Sequence, residues 1–217
     1  MIKLIEGGDE SIIDGVVSRL EQLSDSIIII DCGGGIKPLA RADYVVDRIP
    51  YRSRSGIRGS VPERFSEQTW IEEDLCDSHW VNSIVFSDRD NNTISNRRAF
   101  CSQTIEDIRD PVGLLRNMQE IASSGFISTI HWTYEAGHHG HWQGPGYAHH
   151  RWLIHVKDSV LECVHKPLCL MDGPLNYPHR QQYLHLEWSD NILAREVFYP
   201  NQFNRMDFIS WLESRWE

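Results

Sequence analysis

The sequence lacks several features that would place it in a large class at once. No stretch approaches the ~20 apolar residues that a membrane-spanning helix needs, and residues 1–10 turn acidic without the apolar region of a signal peptide. Five cysteines are an odd number, without the spacing of a disulfide framework. We therefore expect a cytoplasmic protein with reduced thiols and no membrane partner.

Basic residues are also fewer than acidic ones. The chain has 21 Lys and Arg against 31 Asp and Glu, which gives a formal net charge of -10. Proteins that bind a phosphate backbone usually present a basic surface, so no nucleic-acid partner is expected. A small-molecule substrate is the expected partner, and a homodimer is compatible with the sequence.

Three common catalytic motifs are missing as well. The sequence contains no H-E-x-x-H zinc motif, no C-x-x-C pair and no G-x-S-x-G nucleophile turn. No internal repeat, low-complexity tract or linker-like composition divides the chain. With 217 residues, of which 41% are apolar, the chain is expected to form a single domain over residues 1–217.

Helix and strand patterns alternate along the chain. Four consecutive isoleucines at 27–30 predict a strand that is buried on both faces. A helix predicted from Asp110-Pro111 to Gly125 leads directly into a strand at 126–130, an order that is typical of a parallel sheet. Further strands are predicted at 42–47, 69–71, 99–102, 152–156, 160–164 and near 183–188, and further helices at 10–23 and 206–216.

The predicted fold class is α/β: a Rossmann-like, mostly parallel sheet with flanking helices and a C-terminal antiparallel hairpin extension. Two details fit this class poorly. Arg97-Arg98 precede the strand at 99–102, where a buried strand would be apolar. Only eleven residues separate Gly35 from Asp47, which leaves no room for an ordinary crossover helix, so we expect either one helical turn or a rebuilt loop.

Acidic residues follow three of the predicted strands. Asp31 ends the isoleucine strand and is followed by Gly33-Gly34-Gly35, whereas Asp47 and Asp74 follow the next two strands. Ligands of an open parallel sheet bind outside the carboxyl ends of its strands, and glycine lets a ligand approach the backbone. A carboxylate there can accept hydrogen bonds from ribose or adenine, although a single aspartate at a strand end is also typical of a turn.

Five segments carry a resemblance to a known family: I-I-I-I-D-C-G-G-G (27–35), Y-V-V-D (44–47), E-E-D-L-C-D (72–77), the stretch 100–118 and G-Y-A-H-H-R-W (146–152). Together they resemble the class I S-adenosylmethionine-dependent methyltransferases. More closely, the chain looks like a small bacterial branch with a shortened first crossover and a G-Y-A-H-H-R-W segment.

The resemblance implies that S-adenosylmethionine is the cofactor and assigns roles to individual residues. Gly33 and Gly35 would contact its methionine part, Asp47 its ribose, and Asp74 with Leu75 its adenine. Asp31 and Ser102 complete the predicted cofactor-binding set.

Histidine is unusually frequent, and six of the eleven histidines fall within 131–150. His131 ends the fifth predicted strand, on the ligand side of the sheet, and Glu135 follows closely. With His149 and His150 they form the predicted catalytic set, because imidazole suits general-base work near neutral pH. Neutral imidazole also suits divalent metals, and the alternative metal set is His138, His139 and His141. The competing interpretation is structural: the histidines of this loop would only anchor it by hydrogen bonds.

Three functions stay open on this evidence. The first is methyl transfer to a small polar molecule, a sugar or a natural-product intermediate. The second is an enzyme of the same fold that no longer methylates and uses the loop at 131–150 to bind a divalent metal for hydrolase or lyase chemistry. The third is a non-catalytic partner subunit.

Overall fold

The structure is a computed structural model, which describes residues 1–5, 8–87, 93–137, 147, 149–167, 170, 181–199 and 204–216. The described residues form a seven-stranded sheet. Its strands are β1 (Ile2–Ile5), β2 (Ile28–Cys32), β3 (Tyr44–Asp47), β4 (Trp70–Glu72), β5 (Arg97–Ser102), β6 (Ser124–Ile130) and β9 (Tyr183–Ser189). Their order in the sheet is β1-β9-β6-β5-β2-β3-β4.

Five adjacent strands, β2 to β6, run parallel to one another. β9 pairs antiparallel with β6, and β1 pairs antiparallel with β9. Counted from β2, the parallel strands have the doubly wound order 3-2-1-4-5, and the direction of this count reverses between β2 and β5. The predicted α/β class with a mostly parallel sheet is therefore confirmed.

Helices cover both faces of this sheet. α1 (Ser11–Glu21) packs Ile13, Val16 and Val17 on the face that also receives Ile29. α2 (His79–Ser87) and α3 (Pro111–Ile121) pack on the opposite face, together with Ile28 and Ile30. Successive residues of a strand point to opposite faces, so the run of isoleucines supplies both layers at once.

The connection from β2 to β3, residues 33–43, contains no helix, so the rebuilt loop is the alternative that holds. Hydrogen bonds to the side chains of Asp31 and Asp43, and from Arg41, hold this loop in place without a crossover helix. Leu39 donates its backbone N–H to Asp31 Oδ2 at 2.7 Å, and Ile29 donates to Asp43 Oδ2 at 2.8 Å. Arg41 is buried, pairs with Asp43 at 3.0 Å and donates to the carbonyl of Ile27.

A second, three-stranded sheet has the order β10-β8-β7. β7 (Trp152–Lys157) and β8 (Val160–His165) pair antiparallel, and β10 (Leu193–Val197) runs parallel to β8. α5 (Arg205–Trp216) packs its apolar residues with α4 (Trp132–Ala136) and the inner side of this sheet. Within the described residues, no helix is both long and apolar enough to cross a membrane.

The bounds of β5, α3 and β6 differ from those predicted, and contacts between strands explain the differences at β5 and β6. β5 begins at Arg97, whose side chain is buried, because this residue pairs with Ile28 at the start of β2. α3 ends at Ile121, so Gly125 does not end the helix but lies inside β6 opposite Ala99. A Cβ on Gly125 would lie 2.1 Å from the Ala99 carbonyl oxygen, which explains why glycine stands there.

Candidate functional site

A cleft of about 780 Å³ opens at the carboxyl ends of β2, β3 and β5, where the strand order reverses. This is the position at which open α/β sheets bind their ligands. All seven residues predicted to bind the cofactor line it: Asp31, Gly33, Gly35, Asp47, Asp74, Leu75 and Ser102.

The glycine turn forms the floor of the cleft. Gly33 has φ +90° and Gly35 has φ +52°, a region that favours glycine. The Gly33 N–H donates to the Val46 carbonyl at 2.8 Å, and Thr104 Oγ1 donates to the Gly33 carbonyl at 3.2 Å. These bonds hold the turn against both β3 and the loop after β5.

Asp47, at the end of β3, faces the turn. Its Oδ2 accepts the Gly35 N–H and its Oδ1 accepts the Ile49 N–H, each at 2.8 Å. Burial raises the pKa of Asp47, while these two hydrogen bonds oppose the rise. Each carboxylate oxygen has two lone pairs, so both retain capacity for a ligand hydroxyl.

Asp31 lies deeper in the same wall. Its side chain is buried, and burial raises its pKa to about 7 against the opposing hydrogen bond from Leu39. The contact with Leu39 fixes the rebuilt crossover. Asp31 therefore supports the shape of the cleft in addition to lining it.

Asp74 and Leu75 form the opposite wall. Asp74 accepts the Cys76 N–H at 2.9 Å and pairs with Arg109 at 3.2 Å. Burial acts to raise the pKa of Asp74, but the hydrogen bonds from Cys76 and Arg109 outweigh it and lower the pKa. Leu75 is buried, and with Phe100 and Ile108 it gives the cleft an apolar surface.

Ser102 ends β5 inside the cleft. Its Oγ is buried and has no hydrogen-bond partner among the described residues. A buried hydroxyl without a partner costs roughly 1–3 kcal/mol. A polar ligand atom in the cleft would remove that cost.

The predicted catalytic histidines lie beside the cleft. His131 precedes α4 as its N-cap, and its Nδ1 lies 2.7 Å from Thr133 Oγ1. It stands at the end of β6 as predicted but does not line the cleft. His138, His139 and His141 lie outside the described residues.

Glu135 is fully buried and contacts one imidazole and one ammonium group. Its Oε1 lies 2.6 Å from His150 Nδ1, and its Oε2 lies 2.6 Å from Lys166 Nζ. Burial would raise the pKa of Glu135, but the hydrogen bond and charge of His150, followed by those of Lys166, lower it. Glu135 is therefore a carboxylate, and the imidazole of His150 must donate its Nδ1–H to it.

Asp107 joins the histidines to the cleft. Its Oδ1 lies 3.6 Å from His150 Nε2 and 3.9 Å from His149 Nε2, and the residue itself lines the cleft. The sequence prediction omitted Asp107 because it lies in the loop after β5, five residues beyond Ser102. The one sequence feature that points to Asp107 is its position within 100–118, a stretch that carries the family resemblance.

Comparison with known proteins gives a distant likeness. No family model matches the chain, and no curated protein matches it. Among solved structures, the chain is similar to an S-adenosylmethionine-dependent methyltransferase from Mesorhizobium loti, with 16% identity and a TM-score of 0.33. The match covers 70% of this chain and 62% of that one, so it spans less than two thirds of that protein's length.

Proposed function

We propose that the cleft binds S-adenosylmethionine and that the protein methylates a small polar molecule, such as a sugar or a natural-product intermediate. The observation that carries the proposal is the convergence of Asp47, Asp74 and the glycine turn at the point where the strand order reverses. A nucleoside needs acceptors for its ribose hydroxyls and adenine amino group, with an apolar surface for the ring. The cleft offers all three at adjacent strand ends.

The residues of the cleft divide between the parts of the cofactor. Asp47 would accept the ribose hydroxyls, because its two oxygens lie beside the glycine turn. Asp74 would accept from the adenine amino group, whose ring would lie against Leu75. Gly33 and Gly35 would let the methionine part approach the backbone, and Ser102 Oγ supplies a hydroxyl that has no other partner among the described residues.

When bound in the cleft, S-adenosylmethionine would supply a methyl group on a positively charged sulfur, and this sulfur would leave as a neutral thioether when an acceptor oxygen takes the methyl group in line. The protein contributes mainly positioning and a route for the acceptor proton. His149 and His150 face Asp107 at the edge of the cleft. We assign to this cluster the positioning of the acceptor and the removal of its proton. Glu135 holds His150 in place from behind.

A second candidate function is metal-dependent hydrolysis or elimination, in which the cleft no longer takes this cofactor. One observation favours it, the convergence of two imidazoles and the Asp107 carboxylate. Cofactor binding separates the two functions, because only the first requires it.

Calorimetric titration with S-adenosylmethionine and with its demethylated product tests the proposal. We expect one site per chain and an increase of the thermal midpoint, since a ligand that binds only the folded state stabilises it. The titration is run in the presence of a chelator, so that the result does not depend on any metal. Absence of both heat and thermal shift at millimolar cofactor would refute the proposal and leave the second function.

A further inference from the structure

We infer that Asp107, His149 and His150 form a binding site for a first-row divalent metal ion at the edge of the cleft. One ligand atom from each of the three residues lies within 4.8 Å of the other two. Two ligands of one tetrahedral ion lie roughly 3.3–3.6 Å apart, given metal–ligand bonds of about 2.0–2.2 Å. The 3.6 Å between Asp107 Oδ1 and His150 Nε2 is close to that spacing.

A small rotation of the His149 side chain would complete the set of three metal ligands. Its Nε2 is 3.9 Å from Asp107 Oδ1, and its side chain is 66% exposed, so rotation meets little resistance. His150, by contrast, is fixed, because its side chain is only 6% exposed and its ring contacts that of Tyr147. The site therefore has one rigid imidazole, one adjustable imidazole and one carboxylate.

The hydrogen bonds behind His150 are those of a metal-binding histidine. Such a residue usually donates its second ring N–H to a carboxylate, which fixes the ring and leaves the other nitrogen free for the ion. Here Glu135 takes the Nδ1–H at 2.6 Å, and Lys166 secures Glu135 in turn. The free Nε2 is thereby directed at Asp107.

Asp107 provides a second, independent observation that favours a bound cation. Its Oδ1 is buried and accepts no hydrogen bond from any described residue. Both imidazole nitrogens lie beyond hydrogen-bond distance from this oxygen. A buried carboxylate oxygen without a hydrogen-bond donor is costly, and a bound cation removes the cost.

The donor set determines the class of ion. Two imidazoles and one carboxylate suit Mn²⁺, Fe²⁺, Co²⁺, Ni²⁺ or Zn²⁺, whereas Mg²⁺ and Ca²⁺ prefer oxygen ligands alone. Three protein ligands leave coordination positions for water or substrate. The role of the ion rests on the proposed function: it would hold the acceptor hydroxyl beside the cleft and ease loss of its proton.

Titration of the untagged full chain, first stripped with a chelator, tests the site. We expect Co²⁺ and Zn²⁺ each to bind with one ion per chain, and Co²⁺ to develop a visible absorption band. Asp107→Asn and His149→Ala should each weaken metal binding at least about 10-fold. Mutation of a residue that only hydrogen-bonds a metal ligand already lowers metal affinity by about that factor. His79→Ala removes an exposed histidine outside the cluster and should bind as wild type does.

Asp107 and His149 are the chosen positions because both side chains are partly exposed, at 37% and 66%, so their variants should fold. Failure of both ions to bind would overturn the site. Equal binding by wild type and both variants would also overturn it, because the ion would then be held elsewhere. Cofactor binding in chelator with no metal binding refutes the metal site alone, and the converse result refutes the proposed function alone.

Discussion

The backbone N–H of Gly35 donates a hydrogen bond to Asp47 Oδ2 at 2.8 Å, which ties the turn after β2 to the end of β3. This bond bridges the β2–β3 connection, residues 33–43, where an ordinary parallel crossover contains a helix. It places the carboxylate proposed to hold the ribose beside the glycines proposed to admit the methionine part. The geometry of the two proposed cofactor contacts is therefore coupled.

Asp47→Asn should weaken cofactor binding at least about 10-fold. The asparagine side-chain oxygen can still accept one backbone N–H, but the charge and one acceptor are lost. Hydrogen bonds to a charged group are worth roughly 1.5–3 kcal/mol, which corresponds to about a 10- to 100-fold change in affinity. Calorimetric titration with the demethylated cofactor measures the change.

Glu72→Gln is the matched control for Asp47→Asn. Glu72 pairs with Asp47 in the register of β3 and β4, is exposed and does not line the cleft. We expect this variant to bind the cofactor with unchanged affinity. If both variants bind as wild type does, Asp47 has no role in holding the ribose.

Gly33→Ala should destabilise the fold by about 3 kcal/mol. Its φ of +90° is unfavourable for alanine, and the added Cβ would lie 2.3 Å from Thr104 Oγ1. The first effect costs roughly 1–2 kcal/mol and overpacking a further 1–3 kcal/mol. Urea denaturation measures the loss. Gly56→Ala is the control, because its Cβ would meet nothing closer than Lys37 Cγ at 3.7 Å, and equal midpoints for the two variants would contradict the prediction.

The parallel sheet and the cleft could be predicted from the sequence because both depend on short-range patterns. The run of isoleucines specifies a strand buried on two faces, and Asp31, Asp47 and Asp74 mark where strands end. Parallel strands bring their carboxyl ends to one edge. The residues predicted from these ends consequently lie together in one cleft.

Features that depend on tertiary contacts could not be predicted in this way. Asp107 meets His149 and His150 only because the loop after β5 contacts the start of β7. There the backbone carbonyl of Glu106 accepts the N–H groups of Arg151 and Trp152. The start of β5 at Arg97 depends on pairing with β2. His131 was placed correctly at a strand end, but the N-cap bond to α4 was not foreseen.

Glu162→Gln should destabilise the protein by on the order of 3 kcal/mol near neutral pH. Glu162 is buried and accepts hydrogen bonds from Arg215 at 2.6 Å, Arg195 at 2.9 Å and Trp216 at 2.8 Å. Glutamine would leave two guanidinium groups without their carboxylate and release the end of α5. Urea denaturation followed by tryptophan fluorescence measures the change. Glu196→Gln, at an exposed position of β10, should change stability by less than about 0.5 kcal/mol.

The stability difference at Glu162 should shrink in acid. Burial would raise the pKa of Glu162, but the hydrogen bonds from Arg215, Arg195 and Trp216 lower it from 4.5 to about 2. A carboxyl whose pKa is lowered by folding stabilises the native state above its unfolded pKa and loses that contribution as pH falls toward the folded value. Wild type and Glu162→Gln should therefore converge between pH 4.5 and about 2. A constant difference across this range would contradict the assignment.

Asp31 should give the opposite dependence on pH. Burial raises its pKa from 3.8 to about 7, against the hydrogen bond from Leu39. Between these two values the folded state binds a proton that the unfolded state has lost, so stability should fall as pH rises through this window and level off above it. A shift of this size corresponds to roughly 4 kcal/mol at 1.36 kcal/mol per unit, as an order of magnitude.

Asp31→Asn isolates this contribution from those of other buried acids. The asparagine oxygen can still accept the Leu39 N–H, so the rebuilt crossover should persist, while the side chain no longer titrates. Urea denaturation of both proteins at intervals from pH 4 to 8 gives the comparison. We expect the variant to gain stability relative to wild type as pH rises, because only wild type must ionise a buried group. Parallel curves would mean that Asp31 is ionised throughout, and a cation near the glycine turn would then have to compensate its charge.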